Sequence, residues 1–253
     1  MLYSLLLFLS IGIIAGTFSG LLGIGGGIVV VPLLAMVFTW LQFPPSLIMP
    51  FAIATSLATM IVTTLTSTLA HHHQGAVIWP IYRTLAPGIA LGVIGGTLLV
   101  HYLPTSILSM IFGLFILSMS FYLWFYRQMT PERTLPTWLP RFGISLLIGA
   151  KSGLLGIGGG VLTVPFLTYC NVKLRDIIGI SAACSLTIAI VGTISFTATG
   201  HIYWPAALCI AITSPWFAML GTKLSYRLPI SLLRKIFSLF LAIVGIHMIW
   251  SAF

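Results

Sequence analysis

The chain has 253 residues, of which 59% are hydrophobic and 5% charged, with a formal net charge of +9 and a mean hydropathy of +1.15. A soluble domain carries about 25% charged residues, and an outer-membrane barrel shows alternating segments of about ten residues. Apolar runs of twenty residues and more exclude both and specify an all-α polytopic membrane protein. The cations fall in short loops, as membrane orientation requires, and no basic cluster marks a nucleic-acid partner.

The opening stretch MLYSLLLFLSIGIIAG lacks the basic n-region of a signal peptide. Residues 11–18 correspond to the internal residues 144–151, so this stretch reads as retained and part of the fold. A glycine-rich motif follows at residues 19–32 (SGLLGIGGGIVVVP) and returns at 152–165 (SGLLGIGGGVLTVP), with eleven of fourteen positions identical. Such a run is a poor helix interior, since each Gly costs roughly 1 kcal/mol relative to Ala. At membrane depth, broken backbone is tolerated only where protein buries it or a cavity receives it.

The duplication extends beyond the motif. Thr55-Ser56-Leu57 aligns with Cys184-Ser185-Leu186, and a GxxxWP stretch at 75–80 aligns with 200–205. Three apolar segments long enough to cross a core of about 30 Å fall in each half, near 47–70, 78–100 and 105–126, and near 177–199, 204–224 and 229–251. The organisation expected is a first transmembrane repeat at 1–126, a polar, Pro-rich cytoplasmic linker at 127–141, and a second repeat at 142–253.

Charge decides how the motif crosses. If it were one ordinary span, Arg83, Arg127, Arg133 and Arg141 would face one side and Lys173, Arg175, Lys223, Arg227, Arg234 and Lys235 the other, against the positive-inside rule. If it is the bend of a re-entrant hairpin, all ten cations are cytoplasmic. Loops 41–46, 101–104 and 199–203, with both termini, are then external and free of Lys and Arg. Opposite charge on homologous loops marks two inverted-topology repeats, each a broken or re-entrant glycine hairpin plus three transmembrane helices. The ten residues 142–151 span roughly 15 Å of helix, enough to reach the midplane, and the returning arm from Gly160 is equally short. Gly12, Gly16 and Gly20, then Ser145, Gly149 and Gly153, and also Gly88, Gly92 and Gly96, form small-residue faces for close packing.

Two hairpin tips entering from opposite faces would meet near the bilayer centre. Each returning arm starts at a triple glycine, Gly25, Gly26 and Gly27 or Gly158, Gly159 and Gly160. Its first amides lack helical partners and, with the helix dipole, attract an anion; the same glycines can also serve close crossing alone. Lys151 precedes the second motif at an estimated mid-membrane depth, where a cation is functional by default unless it snorkels to the interface. Glu132 and Asp176 are the only carboxylates and both lie in loops, so a cation path lacks ligands. The hydroxyl stripe of Thr55, Thr59, Thr63 and Thr66 either lines an aqueous path or bonds back to helix carbonyls. Ser56 and Ser185, alike in both halves, are the better site candidates, joined by Thr55 and the Cys184 thiol. Three cysteines without ligand spacing otherwise read as small buried residues. His71, His72 and His73 read as a solvated turn, and His247 as a hydrogen-bonded core residue. The motif is out of register for GxGxxG, with no strand before it, and the spans lack an acid/base pair or metal cluster. Neither an enzyme, a cofactor nor a metal is expected.

The doubled SGLLGIGGG with a following VP, and GxxxWP in each half, resembles the sulfite exporter TauE/SafE family of membrane permeases over essentially the whole chain. The resemblance implies a transporter of small sulfur-containing anions, such as sulfite or sulfonates, in a bacterial or archaeal inner membrane. The reading is a secondary transporter, as an exporter, with alternating access around a midplane anion site. Its partners are the small anionic substrate, the lipid bilayer and whatever coupling ion drives it. A passive anion channel is the alternative, and a membrane-embedded transferase a weaker one.

Overall fold

The computed structural model describes residues 2–22, 26–125, 135–225 and 230–251. Gly25, Arg127, Glu132, Arg133 and Arg227 lie outside the described residues. Where no water reaches the backbone, every amide and carbonyl must pair within its own segment, and the described chain is accordingly helical. The first repeat contains α1 (Leu2–Leu22), α2 (Gly27–Trp40), α3 (Ile48–His73), α4 (Trp79–Tyr102) and α5 (Thr105–Trp124). The second contains α6 (Trp138–Leu155), α7 (Gly160–Tyr169), α8 (Leu174–Thr197), α9 (Trp204–Ser225) and α10 (Ile230–Trp250). Five of these helices are long and apolar enough to cross a membrane: α3, α4, α5, α8 and α9.

The breaks fall at matched positions. Gly75 and Gly200 open the two GxxxWP stretches with φ of 69° and 71°, and Gln42 and Asn171 close the two short arms with φ of 57° and 56°. These left-handed residues suit Gly and Asn, and Pro80 then stands at the start of α4, where a missing amide proton is harmless.

Packing exchanges the repeats. α1 lies on α9 and α6 on α4, while α3 pairs with its equivalent α8 and α5 with its equivalent α10. In the first two pairs the numbering rises together: Gly12 meets Thr213 and Gly221 meets Thr17, while Gly88 meets Ser145 and Gly96 meets Ala150. In the other two it runs in opposition. Leu57 lies against Gly192 and Ala76 against Gly179, and Gly113 lies against Gly245 while Ser120 bonds Ser238. The helices that the sequence duplication aligns, α3 with α8 and α5 with α10, thus abut antiparallel. In lipid, such pairs are held by close van der Waals approach rather than by a hydrophobic force. Small residues set that approach: a Cβ on Gly92 would sit 2.7 Å from the Ala150 amide nitrogen.

Following the chain through these directions puts the described cations Arg83, Arg141, Lys173, Arg175 and Lys235 at one end. The 41–47 loop, Leu103 and the 198–203 loop stand at the other. Contacts at each end agree. Arg175 Nη2 donates to the Gln74 carbonyl at 2.6 Å, and Lys235 Nζ lies 5.9 Å from the Trp124 ring. At the cation-free end, Thr105 Oγ1 donates to the Ser46 carbonyl at 2.8 Å.

Three sequence expectations are corrected in detail. The entering arms are not ten-residue pieces: α1 has 21 residues and α6 has 18, or roughly 31 and 27 Å. α6 already starts at Trp138, inside the stretch read as linker, and the SGLL segment stays helical until Gly156 turns left-handed at φ 66°. The returning arms alone are short, with 14 residues in α2 and 10 in α7. His71, His72 and His73 form the last turn of α3 rather than a loop.

Candidate functional site

The tips of the two hairpins meet. Gly27, the first residue of α2, is buried against the Gly156 carbonyl and Ile157, and a Cβ there would stand 2.6 Å from that oxygen. Ser56, at 0% exposure, donates from Oγ to the same carbonyl at 3.0 Å. One α3 hydroxyl therefore pins the left-handed turn that ends α6. Gly158 and Gly159 lie under Ser185 of α8, with Ser185 Oγ 3.6 and 3.5 Å from the Cβ positions they lack. Ser56 and Ser185 fall at equivalent points of α3 and α8, and the structure brings both to the tips.

The start of α7 presents unpaired donors. Leu162 and Thr163 amides both bond back to the Gly159 carbonyl, at 3.1 and 2.7 Å, which leaves Gly160 and Val161 with the first-turn amides that no helix satisfies. Beside them Thr163 is fully buried, and its Oγ1 has no hydrogen-bond partner; the same holds for Ser152 Oγ at the end of α6. A buried hydroxyl left unpaired costs about 1–3 kcal/mol, and Ser152 and Thr163 flank the bend in sequence. The helix dipole adds a positive potential there.

The remaining expected residues are dispersed. Gly26 caps α2; Gly160 is buried as the first residue of α7. Thr55, also fully buried, accepts from the Tyr203 amide at 3.0 Å and so faces the 198–203 loop rather than the tips. Cys184 is a free thiol within the apolar core. Lys151 is exposed on the flank of α6 turned away from α4, since Gly149 and Gly153 occupy the α4 side. The other threonines of the stripe bond back to their own helix: Thr59 Oγ1 donates to the Ser56 carbonyl at 2.7 Å, Thr63 Oγ1 to the Met60 carbonyl at 3.1 Å and Thr66 Oγ1 to the Thr63 carbonyl at 2.9 Å.

Sequence reasoning missed Met60. Its Sδ is 2.9 Å from the Cβ position of Gly27 and its Cε 2.5 Å from that of Gly158, so one flexible thioether touches both tips. A methionine in an apolar span gives no signal by itself; its depth, one turn beyond Ser56, is what placed it there. No group of three or more metal-ligating side chains occurs among the described residues.

A helical bundle with five membrane-length spans, and the glycine tips meeting inside it, is the architecture of a multi-pass membrane protein. Residues 8–248 match the family model described as sulfite exporter TauE/SafE, and the chain belongs to that family. A probable membrane transporter protein of Haemophilus influenzae is 36% identical over 96% of this chain and 97% of its own length. One from Methanocaldococcus jannaschii is 27% identical over 96% and 94%, and YunE of Bacillus subtilis, also named a probable membrane transporter protein, is 28% identical over 98% of each. No solved structure matches.

Proposed function

We propose that this transporter carries a small oxyanion, of the sulfite or organosulfonate class, through alternating access around the meeting point of the two glycine tips. The observation that carries the reading is the fully buried, unpartnered Thr163 hydroxyl beside the open first turn of α7. Donors converge there, and the nearest carboxylate in sequence, Asp176, sits in the first turn of α8, at the cationic end. Backbone amides of Gly160 and Val161, with the hydroxyls of Ser185 and Thr163, would hold the anion, and Gly26 and Gly27 would supply the matching wall. Lys151, exposed away from this point, is assigned no ligand role.

The repeats are read as inverted in the membrane, with the cationic end cytoplasmic. The antiparallel packing of α3 on α8 and of α5 on α10 supports this. An inverted pair can exchange the environments of its halves and so open the site to either face in turn; export is the direction read here. The family name sulfite exporter and the transporter names of the relatives agree with this class of cargo.

The test is uptake into proteoliposomes of radiolabelled sulfite, methanesulfonate, thiosulfate and sulfate, with a monovalent cation as control. Saturable uptake of one of the anions, accelerated by the same anion preloaded inside, is expected. Cation uptake with no anion uptake overturns the reading, and single-channel current without counter-flow turns it into a pore.

A further inference from the structure

The two ends of the bundle are related by the repeat yet are built differently. At the cationic end, Ala76 of the first GxxxWP stretch packs so tightly on Gly179 that a Cβ on Gly179 would collide with the Ala76 carbonyl. Arg175 braces the same spot through its bond to Gln74. At the cation-free end the equivalent positions are His201 and Pro50. They do not close on one another: they line a cavity of about 430 Å³, together with Ser46, His101 and Tyr102.

His101 and His201 stand with ring centroids 5.0 Å apart. His201 is half-buried and its Nδ1 is enclosed without a hydrogen-bond partner. Its other ring neighbour is Phe51 of α3, at 5.7 Å. Residues 41–56, 94–108 and 196–208, which include every element packed around this cavity, contain no Lys, Arg, Asp or Glu. The titratable groups there are these two imidazoles with the Tyr102 and Tyr203 phenols. Neither histidine has a histidine counterpart in the other repeat: His201 aligns with Ala76, and His101 with Tyr226. The pair is thus an addition at one mouth of an otherwise duplicated machine.

We propose that this cavity is a proton-gated anion vestibule, in which His101 and His201 share one proton and hold an incoming oxyanion before it reaches the glycine tips. The inference rests on the oxyanion reading above. Two imidazoles this close repel if both are charged, so a second proton on the empty vestibule is disfavoured. Burial first, and then the charge of His101, hold the His201 imidazole below its ordinary range, with a backbone hydrogen bond at Thr199 opposing them. Without an anion, His201 is therefore held toward its neutral form. A bridging anion reverses the balance, because it gives the protonated pair an acceptor and screens the two rings from each other. Anion and proton enter together, and affinity rises as pH falls.

The experiment uses the full chain in detergent, with methanesulfonate as probe because it stays a monoanion across the range. Calorimetric titration between pH 7.5 and pH 5.5 reads the affinity, and the imidazole NMR shifts of His101 and His201 read their protonation with and without probe. Affinity is expected to tighten as pH falls, approaching about tenfold per pH unit above the imidazole pKa, and the probe is expected to raise the His201 pKa. His201→Gln should flatten the dependence, and so should His101→Gln at an exposed position where folding is not at risk. Affinity independent of pH in the parent protein, or the same slope in both variants, overturns the vestibule. Proteoliposome uptake with a flat pH profile removes the vestibule and leaves the transport reading standing. A probe-induced rise in His201 pKa in a protein that moves no anion keeps the vestibule and removes the transport reading.

Discussion

Ser120 of α5 and Ser238 of α10 each donate a side-chain hydrogen bond to the other's backbone carbonyl, at 2.8 and 2.7 Å, with their hydroxyls 3.0 Å apart. Under the repeat alignment Ser120 corresponds to Gly245 and Ser238 to Gly113, and Gly113 and Gly245 also meet. One crossing of the pair is therefore closed by two hydroxyls and its symmetry mate by two glycines. The seam needs small side chains at both points, and the repeats have filled them differently.

Interhelical hydrogen bonds in membranes average about 0.6 kcal/mol and reach about 1.7. Ser120→Ala and Ser238→Ala should each lower stability within that range. Because the two hydroxyls also lie 3.0 Å apart, the two losses should not add in a double-mutant cycle read by thermal unfolding. Gly113→Leu, which drives a side chain into Ile249 and the Gly245 carbonyl, should abolish a monodisperse preparation.

The contact of α4 with α6 offers an internal control. Gly92 and Gly95 are three residues apart on one helix, yet a Cβ on Gly92 would collide with the Leu146 carbonyl while nothing lies within 4 Å of one on Gly95. Gly92→Val is expected to be destabilised by 2 kcal/mol or more, a value of order set by overpacking. Gly95→Val should stay within about 0.5 kcal/mol of the parent, as exposed changes do. Equal effects on urea or thermal unfolding would contradict the packing.

At the hairpin tips, Gly27→Ala should separate α2 from the Gly156 carbonyl and abolish uptake, while leaving the bundle folded by circular dichroism. Ser56→Ala removes the clamp on that carbonyl and should cost about 1 kcal/mol in stability as well as transport. Thr163→Val keeps the shape and removes an unpaired hydroxyl, so it should be neutral or stabilising while weakening anion affinity by tenfold or more. That opposition of sign separates a ligand group from a structural one. Lys151→Met should leave affinity within about twofold.

Much of this architecture was legible because the duplication is strong. The five membrane-length helices α3, α4, α5, α8 and α9 fall within the apolar segments read from the sequence of one repeat against the other, and the described cations gather at one end. The small-residue faces were legible as faces, but Gly12 and Gly16 do not say whether they meet their own repeat's α4 or the other's α9. That exchange depends on a helix's neighbours, which composition does not encode. Arm length was misjudged for a local reason: Gly153 stays helical, packed against Val93 of α4, and the break comes only where Gly156 adopts a left-handed turn, so α6 runs on through Leu155. At the site, Ser56 and Ser185 were visible through their matching positions. Thr163, opposite Val30 in the first repeat, was invisible to a search for features shared by both halves.

The direction of each repeat can be read without a ligand. Tyr102, 82% exposed, ends α4 at the cation-free end, and Lys173, also exposed, precedes α8 at the cationic end. In a background with Cys170, Cys184 and Cys209 replaced by Ala, Tyr102→Cys should react with an impermeant maleimide added outside intact cells. Lys173→Cys should react only after the membrane is opened. The native Cys170 gives a second reading on the cationic side: burial pushes its thiol up, with the Arg141 charge opposing. Because the thiolate is the reactive form, its labelling in opened membranes should be slow at pH 7 and climb as pH passes above the ordinary thiol range. Labelling of residues 102 and 173 from the same side would contradict the antiparallel pairing of α3 with α8, because both positions are tied to opposite ends of those two helices.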